Sequence, residues 1–182
     1  VAWLKLGPDG ASGPVAKFFP GDALPRAFEA EAGDLLVFVA DADAGVVAWS
    51  LGAVRLAVAR SRGLIPGNAF AACFVVDFPA FLPGDAPGSW VPAHHPFTAP
   101  ADEDLELLET DPGRVRAQSY DPVLNGYELG SGSIRIHRPD VQERVFRTLA
   151  IPEEEAKARF GFLLDILGYG APPHGGIALG LD

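Results

Sequence analysis

The sequence predicts an α+β protein, an antiparallel sheet flanked by helices and preceded by a smaller α+β region. Three observations carry this expectation. Short β-rich runs separated by turn signals and helical stretches recur through residues 1–66. Two strands with a glycine-rich interruption between them occupy SYDPVLNGYELGSGSIRIH, from residue 119 onward. Two amphipathic helices then follow one another directly, at PDVQERVFRTLAI and PEEEAKARFGFLLDILGYG.

In order along the chain, ALPRAFEAEAG reads as a short helix closed by Gly33. DLLVFVA (34–40) and GVVAWSL (45–51) read as strands joined by a DADAG hairpin, and SLGAVRLAVARSRG as a longer helix closed by Gly63. LIPGN (64–68) marks the boundary, which predicts domains at 1–66 and 69–182. The second region opens on AFAACFVVDFPAF, a continuous apolar run of the kind found in fully buried strands. A Pro/Gly-rich loop follows, and ADEDLELLE then caps and begins a short helix.

After the second strand, Asp140 is expected as the N-cap of a helix whose buried stripe is Val141, Val145, Phe146 and Leu149. The last helix has Pro152 in its first turn and three glutamates at its positive end. Its core face is Ala156, Phe160, Leu163, Leu164 and Leu167, and Gly168 or Gly170 stops it.

Composition narrows the function classes. The formal net charge of −10 sets the overall field against DNA or RNA coating, leaving room for a local basic patch. No apolar run reaches membrane-spanning length, so no membrane partner is expected. The lone cysteine, Cys73, excludes an internal disulfide and makes a reducing, cytoplasmic setting the default. Its apolar neighbours suit a core residue better than a nucleophile. The closing run APPHGGIALGLD resembles a buried strand that needs neighbours on both sides, and the chain contains no methionine; it is expected to be part of a longer protein.

Chemistry concentrates after residue 119. In SIRIH, Ile134 and Ile136 point one way while Ser133, Arg135 and His137 point the other. Arg135 can present its planar fork to a carboxylate or phosphate, or simply be a solvated arginine on a surface strand. Asp121 and Glu128 are candidate ligands for a hard divalent cation. Seven residues apart, they would share one ion only if the backbone slipped by a residue near Asn125–Gly126; otherwise their pairing is a coincidence. In HHPF, the adjacent His94 and His95 point in different directions, which disfavours a two-histidine metal site but leaves one of them able to bond an anionic substrate.

HHPFTAP, YDPVLNGYELGSGSIRIH and RFGFLLDILGYGAPPHGGIALGLD together closely resemble the bacterial-type aspartyl-tRNA synthetases of class II. The resemblance covers essentially the whole chain. Residues 1–66 resemble the later part of the GAD insertion domain, and residues 69–182 the second half of the catalytic domain up to its third signature. It implies L-aspartate, ATP and tRNA(Asp) as substrates, with tRNA(Asn) a second acceptor that these residues do not decide. It also implies Mg²⁺ and a homodimer for the longer enzyme. In this family Arg135 matches the arginine gripping the aspartate side-chain carboxylate, and His94, with His95 beside it, an aspartate-contacting histidine. Glu128 matches an ATP-site carboxylate acting through Mg²⁺, shared with Asp121. Gly180, Leu181 and Asp182 match the start of the adenosine-binding segment. Two alternatives use the same residues: an aspartate- and ATP-using enzyme without tRNA, of the asparagine synthetase type, or a non-catalytic module built from synthetase parts. The insertion-like stretch speaks against the first, and the joint presence of His94, Asp121, Glu128 and Arg135 against the second.

Overall fold

The computed structural model describes residues 1–180. They form two compact units, Val1–Asn68 and the residues from Ala69 onward. In the first unit, β1 (Ala2–Gly7) is the centre of an antiparallel sheet between β2 (Gly10–Ser12) and β3 (Leu35–Phe38). Leu4 and Leu6, two residues apart on β1, are buried on one face. Phe38 stacks with Phe19 and meets Phe28 edge-on, at centroid distances of 6.4 and 6.1 Å.

The helix predicted at ALPRAFEAEAG is confined to α1 (Ala23–Ala27), because Glu29 turns the chain with a φ of 50°. The strand and hairpin expected at 41–51 are absent: residues 44–61 form one helix, α2 (Ala44–Ser61). Asp43 explains the difference. Its side chain accepts the Gly45 amide at 2.7 Å, so the DADAG segment is a helix cap and not a hairpin turn. Once capped there, the helix propagates through the β-branched residues into the helical run beyond.

The second unit is built on an antiparallel sheet in the order β10–β9–β7–β4, made from β4 (Ala72–Val75), β7 (Ser119–Leu124), β9 (Gly130–Ile134) and β10 (Gly175–Leu179). A two-residue strand, β8 (Tyr127–Glu128), also pairs with β7. Separately, β5 (Phe81–Pro83) and β6 (Trp90–Pro92) form a hairpin. The continuous buried strand expected from residue 69 is instead short and exposed, with Phe74 64% accessible. Asp77, with a φ of 59°, ends it before Phe81 begins β5, and β4 has a strand neighbour on one side only.

The core of this unit is Phe81, Leu108, Val115, Ile136, Val141 and Val145. It joins the β5 hairpin, the 3₁₀ segment Asp102–Leu107 and α3 (Pro139–Thr148). Arg116 ties that segment to the chain leading into β7, donating to both carboxylate oxygens of Asp104 at 2.8 and 3.1 Å while its amide donates at 2.9 Å. Pro139 occupies the first helical position of α3 and Arg138 is the N-cap. Asp140 lies one residue later, paired with Arg138. α4 (Glu153–Gly168) buries Ala156 and Leu167, while Phe160 stacks on Phe146 at 5.8 Å. Among the described residues no helix is long and apolar enough to cross a membrane.

Candidate active site

The alternation of β7 and β9 builds one polar sheet face. Ser119 pairs with Ser133, so these two share a face with Asp121, and with Ser131 and Arg135 on the other strand. A cleft of about 230 Å³ opens on this face, lined by Ser119, Ser131, Ser133, Arg135, His94 and His95. A second cleft of about 480 Å³ shares Arg135 and His95 and extends to Gln142 and His174.

Hydrogen bonds set the chemistry of this face. Arg135 Nη1 donates to Ser133 Oγ at 2.7 Å, leaving the serine proton free to donate elsewhere. The Arg135 guanidinium also abuts His95 Nε2. His95 Nδ1 accepts the Phe97 amide at 3.2 Å. The Arg135 guanidinium and the His95 ring thus line the same small cleft. Burial, with the adjacent Arg135 and His94 charges, holds the His95 pKa below its usual value, which keeps the ring neutral at pH 7. His94 is exposed and meets Phe78 edge-on, with centroids 5.2 Å apart. Ser119 Oγ and Asp121 Oδ1 are buried without hydrogen-bond partners among the described residues. An arginine fork and serine hydroxyls converging beside a histidine ring suit a small carboxylate ligand.

The chain between Asp121 and Glu128 differs from the slip expected at Asn125–Gly126. Those two residues form a tight hairpin turn, both with positive φ (51° and 84°), and Leu124 pairs with Tyr127 across it. A one-residue slip does occur, but further on. The Leu129 amide donates to Pro122, whereas Tyr120 pairs with Gly132, so Asp121 faces both Gly130 and Ser131. The hairpin alone places the carboxylates on one face: Glu128 pairs with Val123, two residues from Asp121. They are diagonal neighbours, a relation in which residues lie about 7–8 Å apart and their Cβ atoms somewhat less. Asp121 is buried and Glu128 exposed.

Among the described residues no group of three His, Cys, Asp or Glu side chains converges on a metal position. The pair nevertheless fits Mg²⁺, which takes one or two protein carboxylates and fills its octahedron with water and substrate phosphates. The unpartnered Asp121 oxygen is the observation that favours such a ligand.

Glycine is required where β9 approaches its neighbours. A Cβ on Gly130 would lie 2.1 Å from the Ala178 carbonyl oxygen, and one on Gly132 would lie 2.3 Å from the Tyr120 ring. The Gly180 amide donates to Leu129 at 2.8 Å, which continues the β9–β10 ladder past Leu179. Leu181 and Asp182 lie outside the described residues. Ser119, Ser131 and Gln142 were not singled out from sequence. Alternation from Asp121 and Ser133 points to the two serines, whereas nothing local marks Gln142.

Comparison with known proteins places this sheet in a family. The model described as tRNA synthetases class II (D, K and N) matches residues 46–182, and the model of the GAD domain matches residues 1–50. The chain belongs to the class II tRNA synthetases of the D, K and N group. Over its full length it is 53% identical to an aspartate–tRNA(Asp/Asn) ligase of Anoxybacillus flavithermus and 52% identical to an aspartate–tRNA ligase of Lysinibacillus sphaericus. It is likewise 53% identical to an aspartate–tRNA ligase of Enterococcus faecalis. The chain spans 31% of the length of each of these relatives.

Proposed function

We propose that this chain is part of an aspartate–tRNA ligase. In this reading residues 1–66 are the later part of its GAD insertion and residues 69–182 the later half of its catalytic domain. The reaction has two steps. The α-carboxylate of L-aspartate attacks the α-phosphorus of ATP and expels pyrophosphate, and the aspartyl group then passes to the terminal ribose of tRNA(Asp), or of tRNA(Asn) as well. The longer enzyme acts as a cytoplasmic homodimer.

The observation that carries this reading is the convergence of the Arg135 guanidinium, the Ser133 hydroxyl and the His95 ring on one small polar cleft. That pocket can grip the side-chain carboxylate of aspartate, and His94 lines its rim. Asparagine would bring an NH₂ group against donors and lysine a cation, so the same geometry rejects both. Asp121 and Glu128 are the residues to hold Mg²⁺, which when bound offsets phosphate charge. Gly180, Leu181 and Asp182 lead into the adenosine-binding segment. The protein's part in the first step is then alignment of two anionic substrates, with Arg135 fixing one of them.

Charging assays on the full-length protein test this, with transcripts of tRNA(Asp) and tRNA(Asn) and labelled amino acids. Aspartate should be esterified to tRNA(Asp), and lysine and asparagine should not. Charging with lysine or asparagine in preference to aspartate would refute the reading.

A further inference from the structure

We propose that Gln142 is a positioning residue for the aspartate pocket, holding the His95 loop against the sheet through its side-chain amide; this rests on the aspartate reading above. Gln142 lies on α3 with no exposed surface, beside the core residues Val141 and Val145. Its Nε2 donates to the Pro96 carbonyl at 2.8 Å, one residue from His95. The other side of the loop is tied to β9 and its continuation. The Ile136 amide donates to Phe97 at 2.9 Å, and the Ala99 amide to Ile134 at 2.9 Å. The loop carrying His95 is therefore clamped between the strand that carries Arg135 and the helix that carries Gln142.

Packing alone does not account for an amide at this position. The helix stripe is otherwise Val141, Val145 and Phe146, where an aliphatic side chain of similar volume would fill the space. Gln142 Oε1 is buried with no partner among the described residues, and an unpaired buried polar atom is destabilising. A residue that carries this penalty, makes one directed bond to the His95 loop and lines the cleft shared by His95 and Arg135 is placed to set geometry. Its role is to keep His95 and Arg135 in register.

The test is steady-state ATP–pyrophosphate exchange by the full-length enzyme carrying Gln142→Met, Gln142→Leu or, as a packing control, Val141→Ala. Methionine and leucine are of similar size and remove the NH₂ donor. Both should raise the aspartate KM about tenfold or more, with the ATP KM within about twofold. Val141→Ala should lower the melting temperature and leave both KM values unchanged. KM does not depend on the fraction of enzyme that is folded, so a poorly folding variant still reports. A wild-type aspartate KM in either Gln142 variant, or an equal rise in Val141→Ala, would overturn the proposal. Wild-type enzyme with no aspartate-dependent exchange would instead overturn the functional reading on which it rests.

Discussion

Arg135 shows how much one residue's chemistry depends on its neighbours. Its position on the polar side of SIRIH was legible from strand alternation, but its partners were not, because His95 reaches it from a loop forty residues earlier in the chain. Charge alone does not make the site. Arg135→Lys keeps the cation but loses the planar fork that can hold Ser133 and a carboxylate together. The expected outcome in full-length enzyme is an aspartate KM raised about 100-fold, with a much smaller change for ATP. Steady-state kinetics with each substrate varied in turn measures both, and an unchanged aspartate KM would remove Arg135 from the site.

The two carboxylates divide differently. Asp121 is buried with an oxygen unpartnered among the described residues and Glu128 is exposed on the same face, and the proposed function assigns both to Mg²⁺. Glu128→Gln should raise the KM for Mg²⁺–ATP about tenfold and leave the aspartate KM within about twofold. Loss confined to aspartate would reassign it.

At the scale of elements, the hairpin and the slip beyond it position the site. The sequence signal for a backbone irregularity was sound, since Asn-Gly does adopt positive φ at both residues. The expected place of the slip differs because the seven residues between the carboxylates span a chain reversal and not one strand. Tyr127–Glu128 runs back along β7, and chain reversal achieves what a bulge had been invoked to do. The real slip, opposite Asp121, depends on which rungs of two ladders form, and that is a tertiary fact. The same limit explains GVVAWSL, whose β-branched residues look like a strand until Asp43 caps a helix ahead of them. Helices α3 and α4 were legible from their apolar periodicity, but their buried faces only in part: α3 buries Val141, Val145 and Phe146 together with the unforeseen Gln142, and α4 buries Ala156 and Leu167 while Leu163 is exposed.

These elements give a paired prediction. Gly126→Ala meets nothing within 4 Å and carries only the strain of a φ of 84°, costing about 1 kcal/mol. Gly130→Ala drives a Cβ into the Ala178 carbonyl on β10 and should cost about 3 kcal/mol or more. Denaturant unfolding of the full-length protein would rank the two. Equal effects would mean that β10 does not lie against β9 as described.

For the whole molecule, the material fact is that relatives sharing more than half of its residues are about three times as long, since the chain spans 31% of their length. Both strands at the ends of the main sheet, β4 and β10, are exposed along their whole length, and Phe70, Phe74, Ile177 and Leu179 present apolar surface there. Unpaired apolar edges of this kind invite association. Residues 1–182 expressed alone should aggregate or bind a dye specific for exposed apolar surface, and should show no pyrophosphate exchange; a soluble, active product would contradict this. On the proposed function, the Arg135–His95–Ser133 pocket selects aspartate within a longer ligase. ATP–pyrophosphate exchange by the full-length protein, with aspartate, asparagine and lysine supplied in turn, measures that selection. Exchange with aspartate at least about 10⁴-fold more efficient than with asparagine is the predicted result. Equal or greater exchange with asparagine or lysine would contradict it.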